Sequence, residues 1–222
     1  RTITDVDDVA PTFTSSASVT IAENVQNAVD LTVSDSDSSS APTYTLSGTD
    51  SALFEVNSGT LRFKASSGQN YESMTCASNP CALTVTATDA GGNVATQAVT
   101  VTITDVDEFD VGSVSDSDSD ANTLAESVSN GASAEITASA SDADGTTNTV
   151  TYTISSQSCS GAFAIGSSSG AVTVADTSAI DYETATSCTI TVTATSADGS
   201  TSDTTFTCLL YTSDAADDNV GV

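Results

Sequence analysis

The sequence contains no histidine and no tryptophan, and its 222 residues include only three basic ones, Arg1, Arg62 and Lys64. Histidine is the usual general base near neutral pH and a common ligand of zinc and copper, so its absence argues against both kinds of site. The sequence also lacks any apolar run of about 18 residues, so we expect no membrane insertion.

Acidic residues, by contrast, are abundant, and 30 Asp and Glu give a formal net charge of −27. Two carboxylates about 4 Å apart repel by roughly 4 kcal/mol at an effective dielectric constant near 20, so clustered acids need a cation that the chain does not supply. A polyanion repels phosphates and anionic lipids, which excludes nucleic acid as a direct partner. The alternative to metal binding is that the acidity only keeps an exported or salt-adapted protein soluble.

The five cysteines allow one disulfide in each half of the chain. Cys76 and Cys81 flank a Pro-containing turn, and Cys159 and Cys188 both belong to the second half. On the chain-entropy model, these two bonds would add roughly 2 and 3.5 kcal/mol of stability. The pairs Cys76–Cys81 and Cys159–Cys188 therefore predict an oxidising, extracytoplasmic setting, with buried reduced thiols as the alternative.

The same pattern of short strands occurs twice. Val, Thr, Ile and Tyr alternate with period two in segments bounded by Ser, Gly, Asn or Asp, as in "ALTVTATD" at 82–89 and "TITVTATS" at 189–196. About seven strands per 100 residues, without the apolar periodicity of an amphipathic helix, are typical of a β-sandwich. We therefore predict an all-β fold of two tandem Greek-key, immunoglobulin-like β-sandwiches, with the boundary near residue 108.

The carboxylates recur where strands meet loops, in the same order in both halves. Strand ends gather at the two poles of a sandwich, so acids that are far apart in sequence should converge there. Calcium prefers about six to eight oxygen ligands and tolerates flexible geometry, which suits such clusters better than magnesium does. The first half contributes Asp5, Asp7, Asp8, Glu23, Asp35, Asp37, Glu72 and Asp89, and the second contributes Asp105, Asp107, Glu108, Glu126, Asp142, Asp144, Asp181 and Glu183.

These motifs resemble tandem cadherin-type repeats, in the form found in very large bacterial surface proteins. The matching elements are "AEN" and "AES", "DSD" and "DAD", "NYE" and "DYE" where the family has Asp-Arg-Glu, and "DVDDVAP" and "DVDEF" where it has Asp-x-Asn-Asp-Asn. The resemblance covers about residues 1–207. It implies cadherin-type sandwiches in which calcium lies between successive domains and stiffens their junction.

The resemblance also implies a ligand set for each junction. Between the two repeats, the inner ions would be bound by Glu23, Glu72, Asp105 and Glu108, the outer ion by Asp107, and ligands from the second repeat would be Asp142, Asp144 and the carbonyl of Asn148. At a junction with a preceding repeat, the corresponding residues would be Asp5, Asp7, Asp8, Asp35, Asp37 and Asp89.

Several positions depart from the family pattern. Asn70 stands where the family has Asp, and Val9 and Phe109 replace the last Asn of the two linkers. Ser196 stands opposite Asp89, so Asp198 would have to substitute from two residues further on.

Other acidic motifs are expected to remain without calcium. Glu126, Asp181 and Glu183 would face a third repeat, so we expect that pole to be empty or loosely occupied. The run "SDSDSD" at 115–120 is expected to be a solvated loop and not a calcium cage.

The predicted organisation has five parts: a linker from a preceding repeat at 1–9, the first repeat at 10–104, a calcium-binding linker at 105–121, the second repeat at 122–207, and a non-native tail at 208–222. The string "CLLYTSDAADD" at 208–218 resembles a translated sequencing adapter, so we draw no functional inference from it. Cys208 and Leu210 nevertheless correspond to Val101 and Ile103 of the first repeat, and we expect that edge to be the weakest part of the fold.

The predicted function is a calcium-rigidified extracellular spacer or adhesive repeat of an exported surface protein, with neighbouring repeats and other cell-surface proteins as partners. The alternative is a subunit of an extracellular filament that polymerises through open strand edges. Paired carboxylates could serve glycoside cleavage, but no aromatic sugar platform accompanies them, so we predict that the protein is not an enzyme.

Overall fold

A computed structural model of the chain describes residues 6–37 and 40–212, so that Asp5 and most of the predicted tail lie outside the described residues. The chain divides after Val106 into two compact units, each built from β-strands. In the described part, no helix is long and apolar enough to cross a bilayer.

Within its described residues, 6–37 and 40–106, the first unit contains nine strands and one short 3-10 helix, Ser51–Leu53. The strands form a four-stranded sheet in the order β2-β9-β8-β5, a three-stranded sheet in the order β3-β7-β6, and the pair β1-β4. Their bounds are β1 Thr12–Phe13, β2 Ser18–Ala22, β3 Asn27–Asp30, β4 Val33–Ser34, β5 Thr43–Ser47, β6 Phe54–Asn57, β7 Thr60–Phe63, β8 Cys81–Thr88 and β9 Val94–Thr104.

The inward faces of these sheets form the core of the first unit. In β8 every second side chain from Cys81 to Ala87 is buried, while the intervening positions carry threonine or alanine. Phe54 and Phe63 stack with ring centroids 4.2 Å apart in a tilted arrangement. The period-two pattern therefore separates an apolar inner face from a small, polar outer face, as the sequence predicts.

The second unit, described as far as residue 212, repeats this arrangement with eight strands and the 3-10 helix Thr177–Ala179. Its sheets have the orders β11-β17-β16-β13 and β10-β12-β15-β14. The bounds are β10 Ser115–Asp116, β11 Thr123–Ala125, β12 Ser133–Ser139, β13 Thr151–Gln157, β14 Phe163–Ile165, β15 Ala171–Val174, β16 Ser187–Thr195 and β17 Thr201–Tyr211. In both units one short strand pairs in parallel with the last strand, β2 with β9 and β11 with β17.

Each unit contains one disulfide bond with a buried cysteine in its core. The structure pairs Cys76 with Cys81 and Cys159 with Cys188, which confirms both predicted bonds. Cys81 and Cys188 are fully buried at the start of the equivalent strands β8 and β16. The prediction of an all-β chain with two tandem β-sandwiches is also confirmed.

The last strand extends beyond residue 207, where the second repeat was predicted to end, and the expectation that this edge is the weakest part of the fold stays a prediction. Strand β17 continues past residue 207 to Tyr211 and is paired on both sides, with β16 and with β11. Cys208 lies opposite Cys188 in the register, and Cys208 and Leu210 are buried in the core. The open edge that the filament hypothesis would have used at β17 is therefore closed by β11.

Candidate metal centres

At the N-terminal end of the first unit, the carboxylate of Asp37 holds the preceding segment of the chain. Its Oδ2 accepts hydrogen bonds from the N–H groups of Asp8 (2.9 Å) and Val9 (3.0 Å), and the Asp37 N–H donates to Asp35 Oδ1 (3.3 Å). Asp37 Oδ1 is buried and accepts no hydrogen bond from the described residues. Carboxylate oxygens of Asp7, Asp35 and Asp37 lie within 4.8 Å of one another, with no basic side chain in the group.

Electrostatics favour the charged form of this carboxylate. The Asp8 N–H, with smaller contributions from Asp35 and the Val9 N–H, lowers the pKa of Asp37 below its usual value. Asp37 is therefore ionised at neutral pH while one of its oxygens has no hydrogen atom directed towards it, which is the arrangement of a cation ligand.

Asp89 lies at the same end of the unit, but it is held by the turn that follows β8. Asn93 donates to it from its N–H (2.7 Å) and from Nδ2 (3.1 Å), and Asn93 Nδ2 also contacts the Asp7 carbonyl oxygen at 3.3 Å. The N–H of Gly91 donates to Asp7 Oδ2 (3.0 Å). The turn therefore fixes the orientation of both aspartates.

At the other end of the first unit, Glu23 is almost completely buried, with 3% of its surface exposed. Its Oε2 accepts from the Tyr71 N–H and its Oε1 from the Val106 N–H, both at 2.8 Å. Carboxylate oxygens of Glu23, Glu72 and Asp105 lie within 4.8 Å of one another. The structure thus brings together three of the predicted ligands, which are up to 82 positions apart in the sequence.

Asn70, which replaces the aspartate of the family motif, is not part of this group. Its Oδ1 accepts hydrogen bonds from the Ser73 N–H (2.8 Å) and Ser73 Oγ (2.6 Å). Asn70 therefore stabilises the turn that carries Glu72.

The second unit repeats the arrangement around Asp37 with Asp144. Asp144 is 2% exposed, and it accepts from the Glu108 N–H at Oδ1 (3.1 Å) and from the Phe109 N–H at Oδ2 (3.2 Å). The Asp144 N–H donates to Asp142 Oδ1 (3.1 Å), and Asp142 Oδ2 is buried without a donor among the described residues. The side chain of Asn148 donates from Nδ2 to the Asp144 carbonyl oxygen (2.7 Å), and the predicted role of its own carbonyl stays a prediction.

The three acids that come together here are Asp107, Asp144 and Asp198, with carboxylate oxygens within 4.8 Å of one another. Burial, followed by the negative charges of Asp198 and Asp144, raises the pKa of Asp107. Hydrogen bonding from Ser196, and then from the Asp144 N–H, lowers the pKa of Asp142. The raised pKa of Asp107 thus reflects first its burial and then the neighbouring negative charges, and a bound cation would offset both because it favours the ionised carboxylate.

Asp8 and Glu108 occupy equivalent positions in the two units. The Asp8 N–H donates to Asp37, and the Glu108 N–H donates to Asp144. Their predicted roles as carboxylate ligands stay predictions. The hydrophobic side chains of Val9 and Phe109, which replace Asn in the linkers, leave this pattern intact because only their N–H groups take part.

The far end of the second unit has only part of the corresponding set. Glu126 Oε2 accepts from the Tyr182 N–H (3.3 Å), as Glu23 does from Tyr71. Asp181 accepts from Thr184 Oγ1 (2.7 Å), a hydrogen bond that lowers its pKa. The Glu126 N–H donates to the Tyr211 carbonyl as the Glu23 N–H does to Thr104, so Thr212 stands where the first unit has Asp105.

One group was missed by the sequence reasoning. Carboxylate oxygens of Asp118, Asp120 and Glu135 lie within 4.8 Å of one another in the second unit. Glu135 comes from β12, and no sequence motif connects it with the "SDSDSD" run. All three side chains are partly or fully exposed, but Ser115 and Asp116 of the same run form strand β10, so the prediction of a solvated loop is wrong for these two residues.

The donor sets suit calcium. Every side-chain atom in these groups that could bind a metal ion is a carboxylate oxygen, and none is nitrogen or sulfur. Calcium prefers such hard oxygen ligands and accepts them in flexible geometry. The buried Asp37 Oδ1 and Asp142 Oδ2 are each left without a hydrogen-bond donor among the described residues, and burying an ionised oxygen in this way is unfavourable unless a cation compensates.

Comparison with known proteins supports a cadherin-type fold. The sequence model of the Cadherin domain family matches residues 113–210, which lie in the second unit. A protocadherin gamma B2 fragment with extracellular cadherin domains 3–6 superposes with a TM-score of 0.73 at 20% identity, over 95% of this chain and 55% of that one. A Drosophila N-cadherin fragment, EC1-4, gives 0.67 at 23% identity, over 92% and 49%.

Mouse cadherin-23 EC22-24 is similar as well, with a TM-score of 0.68 at 19% identity, over 92% of this chain and 67% of that one. The chain spans about half the length of the protocadherin gamma B2 and N-cadherin fragments. No curated protein matches the sequence. Identities of this size establish the fold, which is that of cadherin-type β-sandwiches.

Proposed function

We propose that the chain is a pair of calcium-binding extracellular repeats that act as a spacer or adhesive module of a cell-surface protein. The observation that carries this proposal is the duplicated carboxylate arrangement. In both units the carboxylate of one aspartate, Asp37 after β4 or Asp144 after β12, accepts hydrogen bonds from two consecutive N–H groups of the segment that enters the unit. Further carboxylates surround it in both units.

The physical reason for calcium is charge. Three carboxylates within 4.8 Å of one another, in a chain with 30 acids and three basic residues, have no internal counterion. The single ion pair among the described residues, Arg62 with Glu55 (2.7 Å), lies outside all of these groups. A divalent cation would remove the repulsion, and its binding free energy would then add to the folding free energy.

The segment 105–108 suggests how bound calcium would restrict the motion of the chain between the two units. Asp105 belongs to the cluster of the first unit with Glu23 and Glu72, whereas Asp107 belongs to the cluster of the second unit with Asp144. A cation at each cluster would hold neighbouring residues of one short segment, and the freedom of that segment would fall. This would turn a flexible tandem into a stiff spacer.

An extracellular location agrees with the disulfides. Both bonds join cysteines within one unit, and such bonds persist in oxidising compartments. Adhesion would follow from the cadherin-type repeats, and a bacterial surface protein is the parent that the sequence motifs suggest.

The proposal is tested by thermal unfolding and small-angle scattering of the full chain with calcium, with magnesium and with a chelator. We expect calcium to raise the Tm and lengthen the particle, and magnesium to reproduce neither effect. Asp203→Asn is a matched control, since Asp203 lies within β17, hydrogen-bonds Thr193 and belongs to none of the carboxylate groups. If calcium changes neither the Tm nor the particle length, the proposal is wrong and the acids serve only to keep the protein soluble.

A further inference from the structure

We propose that the first unit associates with a second copy of this chain through one uncharged face of its four-stranded sheet. In the resulting dimer, Val94 of each copy enters a hollow beside Ala98 of the other. This inference goes beyond the proposed calcium function and does not depend on it. It concerns the outer side of the sheet β2-β9-β8-β5, which we call the threonine face.

The threonine face is formed by alternate positions of its four strands. These positions are every second residue in 18–22 of β2, 43–47 of β5, 82–88 of β8 and 94–104 of β9. They hold threonine, serine and alanine, and Val94 is the one apolar side chain among them that is larger than alanine. Strand pairing arranges them in rows, so that Thr45, Thr86 and Thr96 lie side by side.

Threonine on a strand has an ordinary explanation, because β-branched residues favour strands. The absence of charge does not, since the chain has 30 acids and each of the other sheets with three or more strands carries an acid in its described strands. Examples are Asp30 in β3, Asp116 in β10 and Asp203 in β17. The threonine face is therefore the sheet surface on which two copies can approach without bringing carboxylates together.

The threonine face carries both a hollow and a projecting side chain. The hollow, of about 240 Å³, lies where the small side chains of Ala82 and Ala98 leave room between Thr84 and Thr100. Val94 lies further along the same strand as Ala98, and 57% of its surface is exposed. A two-fold dimer brings one patch against itself, so an axis between these two features would place each Val94 in the hollow of the other copy.

The size of the threonine face indicates a weak, reversible interface. Strands of 5, 5, 8 and 11 residues, at about 3.4 Å per residue and about 4.8 Å between strands, give a face of roughly 470 Å². Two such faces in contact would bury roughly 950 Å², which is in the range of transient complexes and below the roughly 1,200–2,000 Å² of stable ones. We therefore expect a dimer that dissociates on dilution.

Salt distinguishes this interface from one that ion pairs hold together. Each copy has a net charge of −27, and this charge opposes association at low ionic strength. The Debye length falls from about 10 Å at 0.1 M salt to about 3 Å at 1 M, so salt screens the repulsion but not the contact between uncharged faces. The dimer should strengthen as the salt concentration rises, whereas an interface of ion pairs would weaken.

The test is sedimentation velocity of the full chain over a range of protein concentrations, at low and at high sodium chloride, in calcium and in chelator. Thr96→Asp places an acid between Val94 and the hollow, where the two-fold axis brings it against its own copy. We expect the dissociation constant to rise by about tenfold or more, because like charges that face each other are strongly unfavourable. Val94→Ala should raise it by about tenfold as well, since both copies lose an apolar contact.

Asn57→Asp is the matched control for the added charge. Asn57 lies on the outer side of β6 in the opposite sheet, and Ser58 Oγ donates to its Oδ1, which an aspartate preserves. This variant should dimerise as the wild type does. Circular dichroism should be the same for all variants, which separates a loss of association from a loss of folding.

A mixture of variants tests the two-fold symmetry. Thr96→Asp and Thr96→Lys should each dimerise poorly alone but associate when mixed, because position 96 of one copy lies opposite position 96 of the other. An equal mixture of Asn57→Asp and Asn57→Lys should show no such gain.

The proposal is overturned if the wild type stays monomeric at high salt, or if Thr96→Asp and Val94→Ala dimerise as the wild type does. A dimer that forms in calcium and disappears in chelator would be bridged by the acids, and this result would overturn it as well. The calcium response of the Tm and of the particle length is measured separately. The proposed calcium function can therefore fail while the dimer stands, and the dimer can fail while the calcium function stands.

Discussion

Asp37 and Asp144 occupy equivalent positions, yet replacement by asparagine should affect them differently. Asp37 binds the N–H groups of Asp8 and Val9 with one oxygen, Oδ2, and leaves Oδ1 without a donor among the described residues. Asp144 uses one oxygen for each N–H, Oδ1 for Glu108 and Oδ2 for Phe109. An asparagine has one carbonyl oxygen, so it can replace the first arrangement but not the second.

The magnitude follows from the hydrogen bonds. In Asp144→Asn the amide NH2 faces a backbone N–H at a site that is 2% exposed, so one buried donor loses its acceptor. Such a loss costs about 1–3 kcal/mol, and for a domain of this size each kcal/mol lowers the Tm by roughly 4–8 °C. In Asp37→Asn the carbonyl keeps both N–H groups, and the amide NH2 turns towards the Asp7 and Asp35 carboxylates. We expect no measurable loss of stability there.

The assay is differential scanning calorimetry in chelator and again in calcium. In chelator, Asp144→Asn should lower the transition of the second unit and Asp37→Asn should leave that of the first unit unchanged. In calcium, each variant should lose the stabilisation of its own unit, because each removes a ligand charge. The reasoning is refuted if Asp37→Asn destabilises the calcium-free protein as much as Asp144→Asn does, or if both variants keep the full calcium response.

Three further predictions concern single groups. Burial and neighbouring charges raise the pKa of Asp107 above its unfolded value, so the ionised form of Asp107 destabilises the calcium-free second unit at neutral pH. In calorimetry, Asp107→Asn should therefore raise the Tm in chelator and reduce the increase in Tm that calcium causes. Reduction of Cys159–Cys188 should cost roughly 3.5 kcal/mol against roughly 2 kcal/mol for Cys76–Cys81, so the second unit should lose more stability in urea titrations with reductant, and equal losses would contradict the loop-length argument. Burial raises the pKa of Cys208 to about 11, so a thiol reagent at pH 8 should label it only slowly until the protein is unfolded in denaturant, and rapid labelling of the native protein would show that Cys208 is not buried.

Much of the fold is encoded in local patterns of the sequence. The alternation in "ALTVTATD" and "TITVTATS" predicts the long strands β8 and β16, because a strand that is buried on one face needs apolar residues at every second position. The two disulfides also follow from position, since each joins cysteines of one repeat. The acids at strand ends indicate where negative charge accumulates.

The last strand and the individual ligands depended on tertiary structure. The sequence aligned Cys208 and Leu210 with Val101 and Ile103 but ended the second repeat at residue 207, whereas in the structure β17 continues to Tyr211 and pairs with both β16 and β11. Likewise, Asn70 stands at a family ligand position but binds Ser73.

The sequence by itself determined that this chain is a duplicated β-sandwich whose carboxylates lie at the strand ends, because side-chain alternation and turn residues act locally. Only the tertiary structure decided which carboxylate oxygens accept hydrogen bonds from backbone N–H groups and which buried oxygens accept none from the described residues. It also decided that Asp198 joins Asp107 and Asp144. The physical reason is that these outcomes depend on distances of a few ångströms between segments far apart in the chain, which strand register and turn geometry set together.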